Sequence, residues 1–209
     1  MILTNNNEKP SIILDLDQTL ISGEATENYD FNKNKKKAKK FNFENMEDYY
    51  IIFERPHLQK FLNFLFKNFN VSVWTAASKD YALFIIEKIL LKKKDRKIDY
   101  IFFSYHCGIS KKKNKGKSKD LSLLWKYFKI ENYKEDYTFI LDDYKEDVYN
   151  CQKERCILAK PFEFTEKGSE KDKFLLELIP KLKKICKERY ETKSKIFEIN
   201  NINIEKYNL

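Results

Sequence analysis

Short apolar runs alternate along the chain with stretches whose apolar residues recur every three or four positions, the pattern of a parallel sheet wrapped in helices. Ser11-Ile-Ile-Leu-Asp-Leu16 reads as a buried parallel strand. A polar, lysine-rich segment from Ser22 to about Lys40 follows, and then Phe41–Phe43 and Tyr49–Phe53, which predict a β-hairpin or small sheet inserted after the first strand. Pro56 opens a helix whose core face carries Leu58, Phe61, Leu62, Leu65 and Phe69. Val71–Thr75 is the second strand of the sheet, and Ser78 is placed to cap the next helix, with Ala82, Ile85, Ile86, Ile89 and Leu90 as its buried stripe. Tyr100–Phe103 predicts the third strand. A basic loop over Lys111–Lys117 then leads to Ser118, read as the cap of a helix carrying Leu121, Leu124, Trp125 and Phe128. Tyr137–Asp142 and Arg155–Leu158 complete the strands. A helix from about Lys171 to Tyr190 closes the domain, with Pro180 expected to kink it.

Composition narrows the class. Of 209 residues 42% are hydrophobic, enough for one well-buried core, and four Gly and four Pro argue against a low-complexity chain. No stretch approaches the roughly 18–20 apolar residues of a membrane span, and residues 1–10 lack the basic start and apolar core of a signal peptide. A soluble intracellular protein, nuclear or cytoplasmic, is expected, with no membrane partner. Cys107, Cys151, Cys156 and Cys186 form no CxxC pair, and with only His57 and His106 beside them a structural zinc site is not expected. The formal charge of +9 favours polyanionic partners without choosing among them.

Chemistry concentrates where strands end. In an open parallel sheet the site lies beyond the carboxyl ends of the strands. Asp15 and Asp17 follow the first strand, Thr75 ends the second and Asp142 and Asp143 end the fourth, while Lys119 starts a helix. Four acids on one rim repel one another unless a cation sits among them, and oxygen-only ligands select a hard ion, Mg2+ first. Asp15-Leu-Asp17-Gln-Thr19 has the form DxDxT, and spacing by two points both carboxylates to one side. One can attack phosphorus while the other, protonated, donates to the leaving oxygen and later activates water.

Ile13-Leu-Asp-Leu-Asp-Gln-Thr-Leu20 resembles the first motif of the haloacid dehalogenase (HAD) superfamily. Four further segments are similar to its FCP/SCP branch, the NLI-interacting-factor-like protein serine phosphatases that act on the C-terminal tail of RNA polymerase II. They are Glu54-Arg-Pro-His-Leu-Gln-Lys-Phe-Leu62, Val73-Trp-Thr-Ala-Ala-Ser78 with Tyr81-Ala82 after it, Lys119-Asp-Leu-Ser-Leu123 and Ile140-Leu-Asp-Asp143. The resemblance runs from about Ser11 to Lys184. It implies Asp15 as nucleophile and Asp17 as general acid and base. It also implies Mg2+ held by Asp15, the Asp17 carbonyl and Asp143 with Asp142 nearby, phosphoryl contacts from Thr75, Ala76 and Lys119, and a bracing role for Thr19. The chain departs from the branch in three places. Asp143 stands where the family has Asn, Tyr144 follows it in place of Ser, and the substrate-contacting Arg after the third strand is replaced near Phe103-Ser104.

The expected architecture is therefore a Rossmann-like α/β HAD fold over residues 11–190, with an insert at about 22–54, no large cap, and tails at 1–10 and 191–209. The expected activity is Mg2+-dependent hydrolysis of phosphoserine or phosphothreonine on a protein, through a phosphoaspartate, by a monomer. A nucleic-acid end phosphatase is the first alternative, less favoured because the RPH and KDLS segments point to the protein phosphatase branch. A catalytically inactive binding module of the same fold is the second. The lysine-rich runs Lys33–Lys40 and Lys111–Lys117 read first as solvated loops and second as steering charge for a phosphorylated substrate.

Overall fold

In the computed structural model, which describes residues 9–27, 30–47, 49–187 and 192–209, five parallel strands form the central sheet in the order β6-β5-β1-β7-β8. Strand β1 (Ser11–Leu14) is its middle strand, flanked by β5 (Asn70–Trp74) and β7 (Thr138–Asp142). The edges are β6 (Ile101–Phe102) and β8 (Cys156–Leu158). Residues 11 to 14 are all buried because both faces of the sheet are covered. Ile12 and Leu14 point into one core, shared with helices α2 (Leu58–Asn68), α3 (Lys79–Ile85) and α6 (Phe174–Lys187). Ile13 points into a second core, with Trp74, Leu124 and Tyr133. A strand sandwiched this way needs no polar face, which is why it reads as an unbroken apolar run.

The five helix residues expected as a core stripe, Leu58, Phe61, Leu62, Leu65 and Phe69, are buried, and Ser78 caps α3 by accepting the Tyr81 N–H. The stripe Ala82–Leu90 is buried as well, its second half (Ile86–Leu90) wound as a π-helical turn.

Several expectations are corrected. The polar segment Ser22–Lys40 holds strand β2 (Ile21–Ala25) and helix α1 (Phe31–Ala38). With β3 (Phe43–Met46) and β4 (Tyr50–Glu54), β2 makes a three-stranded antiparallel sheet, β2-β4-β3, so of the two expected forms of the insert the small sheet is the one present. Ala38, Ile51 and Phe53 form its small core against Phe164, whose ring stacks on Phe53 at 3.6 Å. Lys111–Lys113 end helix α4 (Ser104–Lys113), where cations favour the negative end of the helix dipole. Ser118 caps nothing: α5 (Ser122–Lys126) begins after Asp120, whose side chain accepts the Ser122 N–H.

Helix α6 continues through Pro180, which lies on its exposed face, so the carbonyl one turn back that loses its donor is on the side open to water. The region read as a C-terminal tail contains helix α7 (Thr192–Tyr207), with Ile196 and Ile199 buried in the main core. Trp74 is fully buried, and Trp125 is half-buried against the second core.

Candidate active site

The register of the sheet assembles the site. Leu14 is level with Val73 on one side and Leu141 on the other, and the Asp15 N–H donates to Leu141 O at 3.0 Å, so Asp15 leaves β1 beside the end of β7. The chain then turns sharply. Gln18 adopts a left-handed φ of 56°, and the Leu20 and Ile21 amides fold back onto Leu16 O. The turn brings Thr19 under Asp15, and its hydroxyl lies 3.2 Å from Asp15 Oδ2 and 2.9 Å from Asp143 Oδ1.

Lys119 reaches in from the loop before α5. Its Nζ donates to Asp15 Oδ1 at 2.6 Å and to Asp142 Oδ2 at 2.7 Å, and all three residues are at most 6% exposed. Burial disfavours the ammonium, but the Asp142 and Asp15 carboxylates together outweigh that and hold the proton on Lys119 above the usual lysine range. The other Asp142 oxygen accepts the Tyr144 N–H at 2.8 Å, so this carboxylate is spent on organising Lys119 and the turn after β7.

Asp17 sits half-buried at the rim. Its carboxyl is pushed up to about 6 by burial, against the lowering effect of the Tyr81 hydroxyl, which donates to Oδ1 at 2.6 Å. Burial and the facing Asp17 in turn hold the Tyr81 phenol above its ordinary range. Thr75 and Ala76 join the rim from β5: Thr75 is buried with its hydroxyl accepting the Ala77 N–H at 3.0 Å, and Ala76 is exposed. The eight residues singled out in the sequence thus divide into a tight cluster (Asp15, Thr19, Lys119, Asp142, Asp143), Asp17 beside it, and Thr75 and Ala76 on the neighbouring strand.

Carboxylate oxygens of Asp15, Asp142 and Asp143 lie within 4.8 Å of one another. Lys119 pairs with both Asp15 and Asp142, and Asp142 gives its other oxygen to the Tyr144 N–H, while Asp15 Oδ2 and Asp143 share the Thr19 hydroxyl and lie side by side where an ion could be held. Asp143 is pushed up to about 7, first by burial and then by the charges of Asp15 and Asp142. Four carboxylates against one ammonium leave an excess of negative charge, and a hard cation between Asp15 and Asp143 fits both the donor set and that excess.

Sequence reasoning gave no role to two residues at this site. Tyr81 holds Asp17. Arg55, fully buried, donates to Thr19 O at 2.9 Å and Lys160 O at 2.8 Å, pairs with the two Asp172 oxygens at 3.1 and 3.0 Å, and so clamps the turn after β1 against the loop after β8. Both lie in segments that match the family pattern, but nothing in a sequence says that a tyrosine on one helix meets a carboxylate 64 positions earlier. His106 accepts the Phe103 N–H at Nδ1.

The sequence profile of the family described as NLI interacting factor-like phosphatase matches residues 10–192. Protein 355R of Invertebrate iridescent virus 6, described as CTD phosphatase-like, is 49% identical over 172 residues, covering 80% of this chain and 94% of its own. Its counterpart in Invertebrate iridescent virus 3 is 46% identical over 185 residues, covering 83% and 95%. Among solved structures, fission yeast RNA polymerase II CTD phosphatase Fcp1, bound to beryllium fluoride, aligns with a TM-score of 0.52 at 15% identity, over 96% of this chain and 65% of that one. A second Fcp1 structure aligns at 0.51 and 18%, over 90% and 52%. The likeness to Fcp1 shows a shared HAD fold, and this chain spans between half and two thirds of those structures' length. With its profile matched over residues 10–192 and the acids and lysine of its motifs gathered at one rim of the sheet, the chain belongs to the NLI interacting factor-like phosphatases.

Proposed function

We propose that the protein is a Mg2+-dependent aspartyl phosphatase that removes phosphate from serine or threonine of a protein substrate, with a polymerase C-terminal tail as the first candidate. The observation that carries this reading is the buried Asp15–Lys119–Asp142 bridge with a half-buried Asp17, its carboxyl pushed up to about 6 by burial, two residues from Asp15. In the first step an Asp15 carboxylate oxygen attacks phosphorus as the P–O bond to the substrate oxygen breaks, and Asp17 gives its proton to that oxygen so that an alcohol departs. In the second, Asp17 takes a proton from water, water oxygen bonds to phosphorus, the acyl phosphate bond breaks, and inorganic phosphate leaves with Asp15 restored.

Lys119 keeps an ammonium beside the reacting oxygens, Thr19 holds Asp15 and Asp143 in fixed relation, and Thr75 and Ala76 bound the phosphoryl pocket from β5. A cation held by Asp15 and Asp143 would supply charge neutralisation of the phosphoryl group. Among the described residues the two sheets carry no large cap, and a rim without one suits a peptide.

The test is hydrolysis of an aryl phosphate with and without Mg2+. Turnover should require Mg2+ and fall by more than about 10^3-fold in Asp15→Asn, with the circular dichroism unchanged. A folded wild type without turnover under any divalent metal would point instead to a binding module. Given turnover, phosphopeptides and 5′- or 3′-phosphorylated oligonucleotides compared as substrates separate the protein phosphatase from a nucleic-acid end phosphatase.

A further inference from the structure

We propose that Tyr81 is a positioning residue that fixes which oxygen of Asp17 carries the catalytic proton, and that Gly23 exists to let it do so. The inference deepens the mechanism above and rests on Asp17 as its general acid.

Three segments distant in sequence converge here. Asp17 comes from the turn after β1, Gly23 is the middle residue of β2 in the insert, and Tyr81 lies in the first turn of α3, where the Ser78 cap anchors its backbone. The Tyr81 ring is buried, packed edge-on to Tyr50 of β4 at 5.2 Å, so its hydroxyl has little freedom. That hydroxyl donates to Asp17 Oδ1 at 2.6 Å. A Cβ placed on residue 23 would lie 2.2 Å from the Tyr81 hydroxyl oxygen, 3.4 Å from its ring carbon and 3.6 Å from Asp17 Oδ1. Gly23 has no positive φ, unlike Gly116 and Gly168, so its backbone would accept other residues. Space is what excludes them, and the space is filled by the Tyr81 oxygen.

A carboxylic acid whose Oδ1 accepts a short hydrogen bond keeps its own proton on Oδ2. A half-turn of the carboxyl would exchange the two oxygens, and Tyr81 opposes that rotation. The insert sheet thereby takes part in proton donation without touching the substrate.

General acid help matters most when the leaving oxygen is basic. The experiment therefore compares phenyl phosphate with 2,4-dinitrophenyl phosphate, which are similar in shape and differ in their need for a proton. Tyr81→Phe should lower the single-turnover rate of phosphoryl transfer, the step that expels the leaving group, by about 10- to 100-fold for phenyl phosphate and by less than about 3-fold for the dinitrophenyl ester, with KM little changed. Gly23→Ala, which keeps the hydroxyl but displaces it, should reproduce that pattern. Added to Tyr81→Phe it should cost little more, because the atom it collides with is gone. Equal losses on both esters, a loss confined to KM, or additive losses in the double variant would each overturn the proposal.

Asp17→Asn is the control. If it shows no leaving-group dependence, Asp17 is not the acid and the mechanism falls together with this inference. If it does and Tyr81→Phe does not, only the positioning role is lost. Thermal unfolding of each variant confirms that a folded enzyme is being assayed.

Discussion

Lys119 is the residue on which the site's electrostatics turn. It neutralises two buried carboxylates that come from different strands, and in the proposed mechanism the same ammonium stands beside the incoming phosphoryl group. Removing one partner of a buried ion pair leaves the other charged and unsolvated, at a cost of about 3–5 kcal/mol. Here two carboxylates are left, although Asp142, already raised by burial, can meet part of that cost by taking a proton. Lys119→Met is expected to lose at least about 100-fold in kcat/KM and to lower the urea midpoint together, since one side chain serves both folding and chemistry. Unchanged stability with lost activity would show that the bridge to Asp142 contributes nothing to the fold. Asp143 makes the opposite case. It departs from the family's Asn and adds a carboxyl that burial and its neighbours push to about 7, held by Thr19.

Helix α7 shows what an element can do that its sequence conceals. Strand β8 is an edge of the sheet, and an uncovered edge exposes unpaired backbone groups. Asn200 accepts the Leu158 N–H at 2.9 Å and donates to Cys156 O at 2.8 Å, while Asn203 donates to Leu158 O at 3.0 Å. Two side-chain amides thus stand in for a sixth strand. Asn200→Ala strands those groups in a buried place and should cost about 1–3 kcal/mol in urea unfolding at neutral pH. The far end of the helix is tied by Glu177, which accepts from Lys206 and, at 2.8 Å, from the Tyr207 hydroxyl.

The Lys206 hydrogen bond holds Glu177 below its usual range, so the tie is fully present above the ordinary glutamate pKa of about 4.5 and is lost as pH falls through the depressed value. Glu177→Gln should accordingly be less stable than wild type at pH 7 and converge with it near pH 3. The same helix explains a misreading. Its buried positions Thr192, Ile196, Ile199, Asn200 and Asn203 have helical spacing, but three of the five are polar, so the apolar stripe is too thin to read. Helix α4 hides for a related reason: Cys107 and Ser110 are its buried residues, and its lysines look like a loop. Strands β1, β5 and β7 were legible because burial on both faces leaves no polar alternation to confuse them, and acids at their ends were legible because such residues have no other reason to follow an apolar run. The Tyr81–Gly23 contact was not, since it depends on how the insert packs on α3.

Across the whole molecule the excess of nine positive charges is plain in the composition, but the composition cannot say which lysines are free to act on a partner. In the run from Lys33 to Lys40 several are engaged. Lys33 faces Asp30 at 3.7 Å, Lys37 reaches Glu166 O and lies over the Phe164 ring, and Lys40 pairs with Glu170 at 3.0 Å. Lys35, Lys36 and Lys39 are exposed on α1 and its end. These belong to the insert that follows the turn after β1, and their field would add to whatever the rim itself presents to the proposed phosphorylated substrate. A field of exposed charges acts on encounter rather than on chemistry, and salt screens it over about 10 Å at 0.1 M. Replacing all three by Gln should therefore lower kcat/KM for an acidic phosphopeptide by about 3- to 10-fold in low salt, leave kcat unchanged, and shift stability by no more than about 0.5 kcal/mol. The difference from wild type should shrink as NaCl rises and vanish near about 0.5 M, where the screening length is only a few ångströms. A small aryl phosphate, carrying too little charge to be gathered, should be hydrolysed equally by both proteins at every salt concentration. If the phosphopeptide behaves like the aryl ester, these lysines only solvate the insert, and capture of the substrate depends on the groups lining the rim.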